Sequence, residues 1–206
     1  MEVNVLQLVS QDEKLLEFLE SGQDLYAAIF EVLFDKKCET TECRALIKKI
    51  FLPYFFGLQA TSATGIFPSL DEAKDAFRRI EQTFPTACKW IREKEQNVKY
   101  NHVVEDYFGR IRDFSNEPFY KSRNFFIQSP AAVICMTKFV DMYRELPDNL
   151  LFNVHDAYVF SCKLKEVKQI IKVAKSVLEK QSFNGLLLKV KCSVGPQLSK
   201  MRKYPI

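Results

Sequence analysis

Residues 150–160 read Leu150-Leu151-Phe152-Asn153-Val154-His155-Asp156-Ala157-Tyr158-Val159-Phe160. Two β-prone, mostly apolar segments flank one polar pair, His155-Asp156, with no glycine or proline between them. That pattern predicts a tight hairpin whose tip presents an imidazole and a carboxylate. A carboxylate held at a turn by buried strands suits a divalent-metal ligand. It also suits an ordinary solvated turn aspartate, and the segment alone favours that plainer reading.

The 206 residues suffice for one large domain or two small ones. Apolar residues make up 47% and there are 18 phenylalanines, so a packed core is expected and disorder is not. A net charge of +4 is compatible with nucleic acid without demonstrating it. Of six cysteines only Cys38 and Cys43 are close together, and with two histidines in the chain no zinc-site spacing exists. They read as reduced cysteines of an intracellular protein. No unbroken apolar run approaches the roughly 20 residues of a membrane span, and no signal segment opens the chain. A soluble, cytoplasmic protein (or one inside a host cell, if viral) is the expectation.

Residues 2–9 alternate roughly between polar and apolar before a short amphipathic helix over 12–19. Asp24 is placed to cap an apolar helix over 25–34. Thr40 or Thr41 caps the next, along which Arg44, Lys48, Leu52 and Phe56 recur at four-residue steps on one stripe. Two cations followed by two apolar groups suit a ligand with a charged end and a flat end; an amphipathic helix with a solvated basic start has the same pattern. Pro53 should kink this helix. Ser69 caps a helix that Pro85 ends, and another runs from about Thr86 to Val98. His102–Arg112 reads as a small hairpin, and 119–145 as a long apolar helix with Asn124 and Gln128 one turn apart, kinked or restarted at Pro130. Lys165–Gln181 is amphipathic with lysines outward. Asn184-Gly185 turns into a strand over 186–190, and the basic tail is expected to fray. No repeat, glycine-rich phosphate loop or nucleophilic triad is present. Helices with one small antiparallel sheet make an α+β architecture.

Four segments in this order resemble the C-terminal half of the polymerase domain of family A DNA polymerases, the bacterial DNA polymerase I class. They are 2–34, with Gly22-Gln23-Asp24-Leu25-Tyr26; Arg44-x3-Lys48-x7-Phe56-Gly57; Asn124-x3-Gln128-Ser129-Pro130; and Val154-His155-Asp156. The resemblance covers nearly the whole chain. It implies a mostly helical fingers subdomain at 1–118, with the end of the first palm motif at 1–8. A C-terminal palm subdomain at 119–206 would carry the hairpin.

By that resemblance Asp156 is one of two aspartates that hold two Mg2+ ions for nucleotidyl transfer, with His155 beside the primer end. Arg44 and Lys48 would bind the triphosphate of a dNTP, and Lys48 could protonate the leaving pyrophosphate. Leu52 and Phe56 would border the nascent base pair, with Glu2 from the first motif beside them. Asn124, Gln128 and Asn153 would touch the minor groove of a primer–template DNA, with Arg123 or Lys121 serving where Tyr120 replaces a usual arginine.

The departures matter as much. Glu2 aligns with the last residue of the first catalytic motif, so the aspartate of that motif would precede Met1. Ala157 replaces an acidic residue, Phe56 a tyrosine, and Leu52 a common aromatic. The expectation is therefore a polymerase segment, inactive as an isolated chain, that needs a second polypeptide with the missing aspartate and thumb. The alternatives are an inactive polymerase remnant that binds DNA or protein, and, more remotely, a helical interaction protein of other ancestry.

Overall fold

A computed structural model of the chain describes residues 1–180, 183, 185, 186 and 188–204. The chain forms two compact units, Glu2–Ala131 and Met1 with Ala132–Ile206.

The N-terminal unit is helical apart from one hairpin. Helix α1 (Glu2–Ser10) buries Val3, Val5, Leu6 and Leu8, so the rough alternation of 2–9 is wound into a helix. Short apolar stretches cannot be told apart by period alone. Helices α2 (Glu13–Glu20) and α3 (Leu25–Phe34) follow, and Asp24 caps α3 as expected, accepting from the Ala27 N–H at 3.1 Å. Helix α4 (Thr41–Phe55) starts after Thr40 and runs two residues past Pro53. One of its faces buries Ile47, Ile50, Phe51, Tyr54 and Phe55. The Phe51 ring meets Phe55 and Phe84 edge-on at 5.3 and 5.1 Å.

Helix α5 (Leu70–Thr83) is capped by Ser69, and α6 (Pro85–Asn101) opens on Pro85. The buried Asp12 binds two of these helices together. One of its oxygens accepts from Leu15 N–H at the start of α2 (3.0 Å), the other from Ala87 N–H at the start of α6 (2.9 Å). Strands β1 (Val103–Glu105) and β2 (Ile111–Asp113) pair antiparallel as the expected hairpin.

Helix α7 (Ser122–Glu145) is continuous through Pro130, and the division between the units falls one residue beyond that proline. A restart at Pro130 is thus corrected. With the 3-10 turn before it, Phe119–Glu145 is also long and apolar enough to cross a membrane by length and composition, contrary to the reading of unbroken runs. Polar residues spaced around the helix interrupt the runs, yet one 18-residue window within it is apolar on average. More than half of that window is buried, as in a core helix.

In the C-terminal unit, β3 (Leu150–Val154) and β4 (Ala157–Phe160) form the hairpin from which the sequence reading began. Helix α8 (Val167–Glu179) lays Ile170 and Ala174 against Met142, Leu146 and Leu150, with Tyr158 and Phe160 closing the cluster. The lysines of α8 occupy the other face. Of the strand expected over 186–190, Leu187 and the turn residue Asn184 lie outside the described residues, and Leu188–Val190 are not in a strand. The tail pairs instead, β5 (Cys192–Val194) with β6 (Arg202–Tyr204), because Cys192 and Val194 share one half-buried face. The expected fraying is corrected for those residues. The fold is α+β, mostly helical, and the described strands form three antiparallel hairpins where one sheet was expected.

Candidate functional site

In the N-terminal unit the α4 stripe falls where its spacing places it. Ile47, Phe51 and Phe55 occupy the buried face, leaving Arg44, Leu52 and Phe56 partly exposed and Lys48 exposed. Phe56 caps the helix, and its N–H still reaches the Leu52 carbonyl at 3.0 Å, so the stripe stays in register to its last member. The aromatic with a hydroxyl in this helix, Tyr54, points into the core and donates to Glu81 at 2.6 Å.

The stripe has neighbours that the sequence reading did not assign to it. Arg44 donates through Nε to Asp24 Oδ1 (2.9 Å) and through Nη2 to Oδ2 (2.6 Å), a two-pronged pair between the start of α4 and the cap of α3. Lys48 Nζ sits 5.3 Å above the Tyr26 ring. Burial raises the Tyr26 phenol above its ordinary range, and the charges of Glu2 and Asp24 raise it further while Arg44 opposes them. Glu2, Asp24, Tyr26, Arg44 and Lys48 therefore form one electrostatic cluster. Three N–H groups of Arg44 and the Lys48 ammonium remain to meet an anion there. Asp24 was legible as a helix cap; its pairing twenty residues along the chain left no local signal.

The minor-groove candidates of this unit divide. Asn124 and Gln128 lie one turn apart on α7, Gln128 exposed and Asn124 with its Oδ1 buried and accepting no hydrogen bond. Simple satisfaction within the helix does not account for that oxygen. Arg123 is tied up internally. Its guanidinium pairs with Glu95 through Nε at 2.9 Å and through Nη2, and Nη1 lies 3.5 Å from the Tyr54 carbonyl, with both partners of the ion pair largely buried. Removing it from that pair would leave Glu95 as a buried charge, so Arg123 joins α4, α6 and α7.

The hairpin of the C-terminal unit presents His155 and Asp156 at its tip, between the partners Val154 and Ala157. His155 has φ 54°, the left-handed region that a two-residue turn reserves for glycine at its first position. The turn holds this strained residue because Tyr158, three positions on, anchors β4 by donating to the Cys135 carbonyl of α7 at 2.9 Å. Burial raises the Tyr158 phenol, with Cys135 and Asp156 adding to it. Asn153 Nδ2 donates to the His155 carbonyl at 3.5 Å. The Asp156 side chain is 58% exposed, and the Met1 amino group lies 3.8 Å from its Oδ2.

Among the described residues no group of three or more His, Cys, Asp or Glu is placed to hold a metal ion. Mg2+ takes oxygen ligands in near-octahedral array and is held through one or two carboxylates plus phosphates. Asp156 offers one carboxylate. The donor set found here does not by itself make a magnesium site.

The family model described as DNA polymerase family A matches residues 1–200. DNA polymerase theta of Drosophila melanogaster is 26% identical over 234 residues, spanning 100% of this chain and 11% of that protein. DNA polymerase I, thermostable, of Thermus aquaticus is 25% identical over 211 residues, spanning 95% of this chain and 25% of its own length. DNA polymerase I of Bacillus subtilis is 25% identical and covered to 24%. The chain thus spans a quarter or less of the relatives it matches. A solved structure of the POL domain of Pol1 from M. smegmatis, in complex with DNA primer-template and dNTP, superposes with a TM-score of 0.79 at 20% identity, over 87% of this chain and 35% of that one. At that identity the likeness speaks for the fold.

Proposed function

The chain belongs to DNA polymerase family A, and from that membership we propose that it acts as the fingers and C-terminal palm of a template-directed DNA polymerase. It binds a dNTP and a primer–template. One observation carries the reading: the exposed stripe of α4 joins two cations to two apolar side chains, and the same stripe was legible in the sequence. Arg44 and Lys48 hold the triphosphate, Leu52 and Phe56 border the base, and Glu2 and Tyr26 line the cation end. Asn124, Gln128 and Asn153 contact the minor groove, where acceptors are nearly independent of sequence. Asp156 contributes one carboxylate and His155 a donor near the primer end. Two-metal chemistry needs a further carboxylate beside Asp156, which a longer or a second polypeptide would supply.

Lys48→Ala tests this assignment. Losing one charge-assisted contact to a phosphate costs about 1.5–3 kcal/mol, or about 10- to 150-fold in dNTP affinity. Primer–template affinity should change less than about twofold, since Lys48 is assigned no DNA contact. Fluorescent-dNTP and labelled-DNA anisotropy on the same protein read both. Equal loss of the two sinks the assignment.

A second reading, an inactive remnant that binds DNA, is favoured by Ala157 in place of an acidic residue and by the single carboxylate at the hairpin. Addition of a polypeptide carrying the upstream polymerase motifs separates the two: restored primer extension excludes the remnant, and continued silence with intact DNA binding supports it.

A further inference from the structure

The turn between α3 and α4 and the first turn of α4 carry one thiol each, Cys38 and Cys43, that the polymerase reading does not use. The chain leaves α3 at Asp35 with a left-handed backbone (φ 52°), and Cys38 and Cys43 then flank Thr40. Cys38 Sγ donates to the Thr40 carbonyl at 3.7 Å, and Cys43 Sγ lies 3.5 Å from Thr40 Oγ1. Thr40 is thus the shared neighbour of both sulfurs. Thr40 occupies the cap position of α4, yet its hydroxyl makes no bond to the helix N–H groups, being engaged with Cys43. Cys43 is the third residue of that helix, where the macrodipole favours a negative sulfur.

Both sulfurs are partly exposed, while Cys88 and Cys135 are buried. The environments differ in the same sense. The Thr40 hydroxyl holds the Cys43 thiol below its ordinary range, and partial burial, then the neighbouring Cys43 thiol, hold the Cys38 thiol above it. Burial pushes the Cys88 thiol up to about 12 and raises that of Cys135. Charged groups beside the pair include Glu31, whose Oε1 accepts from the Cys38 N–H at 3.1 Å, Glu42, whose carboxyl the Thr40 side chain holds below its ordinary range, and Arg44, the residue after Cys43.

We propose that Cys38 and Cys43 are a redox modification site, a dithiol that a peroxide oxidises to an intramolecular disulfide across Thr40 at the first turn of α4. The Cys43 thiolate attacks one peroxide oxygen; the O–O bond breaks, that oxygen stays on sulfur as a sulfenic acid, and the other leaves as hydroxide and takes a proton to become water. The Cys38 sulfur then attacks the Cys43 sulfur; the S–O bond breaks, and hydroxide leaves with the Cys38 proton as a second water. Two thiols lose two electrons and one peroxide becomes two waters. Cys43 is the attacking residue and Cys38 the resolving one. The proposal is independent of the polymerase reading, because it concerns the thiols alone.

Both cysteines fall in one tryptic peptide, Cys38–Arg44, between the cleavage points after Lys37 and Arg44. The purified chain is exposed to about one equivalent of hydrogen peroxide, alkylated with iodoacetamide, digested and weighed. The expected result is loss of both alkyl groups from Cys38–Arg44, with the peptide two hydrogens lighter, while Cys162 and Cys192 stay alkylated. Dithiothreitol before alkylation should return both groups. Alkylated Cys38 and Cys43 beside oxidised Cys162 or Cys192 overturns the site, as does over-oxidation of Cys43 with no bridge. In Cys38→Ser the sulfenic acid should persist and be trapped on Cys43 by dimedone, and in Cys43→Ser Cys38 should give no adduct. An adduct on Cys38 in the second variant with none on Cys43 in the first overturns the assigned order. Both replacements are close in size on a partly exposed turn, so each variant folds as the parent does.

Discussion

Replacing Asp24 with Asn asks whether this carboxylate orients Arg44 for a nucleotide or competes with the nucleotide for it. Asp24 accepts from the Ala27 N–H and Arg44 Nε through Oδ1, and from Arg44 Nη2 through Oδ2. Asn keeps Oδ1, hence the cap of α3 and one bond to Arg44, and loses the acceptor for Nη2 together with the charge. The Arg44 and Asp24 side chains are 42% and 41% exposed, so solvent screens the pair and its loss costs no more than about 1 kcal/mol. Against that, a carboxylate about 6 Å from one phosphate charge in near-aqueous dielectric repels it by about 0.7 kcal/mol, and the further phosphates, screened by salt, bring the total to about 1 kcal/mol. With orientation half kept and repulsion removed, dNTP affinity should rise about two- to fivefold. Anisotropy of a fluorescent dNTP at low and high salt measures it, and the gain should shrink as salt rises. Asp24→Ala adds a control, because it also removes the cap and should lose about 1 kcal/mol of stability. A tenfold fall in affinity for Asp24→Asn would refute this account and make Asp24 the residue that aims Arg44.

Asp12→Ala removes a cap worth about 1 kcal/mol and strands the buried Ala87 N–H for about 1–3 more, so urea unfolding should lose about 3 kcal/mol; a loss under about 1 would show that Ala87 finds another acceptor. The buried Lys138 donates to the Val177 and Lys180 carbonyls, both at 3.0 Å, at the C-terminal end of α8. Desolvation lowers its pKa, with Asp141 opposing and Lys180 assisting. The unfolded chain then binds more protons, so stability relative to Lys138→Met should climb as pH rises from the lowered folded value towards about 10.4. A flat difference between the two unfolding midpoints across that alkaline window sinks the argument. At His155, with φ 54°, Gly should be more stable than Ala by about 1 kcal/mol; equal midpoints would mean the turn relaxes.

Much of this structure was legible because it is written in short-range spacing. The α4 stripe, the hairpin tip at His155-Asp156 and the caps at Asp24 and Ser69 all rest on residues within four positions of one another. What escaped depends on packing between distant segments. The Asp24–Arg44 pair, the two helices capped by Asp12 and the retention of Arg123 by Glu95 each join residues at least twenty apart, with nothing local to mark them. Pro130 misled for a related reason. A proline within a long apolar segment reads as a break, yet packing carries α7 through it.

The charge balance shows how a hidden division distorts a sequence-wide number. A net charge of +4 reads as a mild basic bias. Split where the units part, residues 1–131 hold 17 Lys and Arg against 20 Asp and Glu, and residues 132–206 hold 13 against 6. The halves are −3 and +7 in side-chain charge, and the average describes neither. A polyanion is therefore attracted at long range by the C-terminal unit, where α8 turns Lys168, Lys172 and Lys175 away from its buried Ile170 and Ala174. The N-terminal unit, acidic on balance, has no such general attraction to offer. For that reason an anion at the start of α4 would have to be held by Arg44 and Lys48 specifically, against the field of the unit around them.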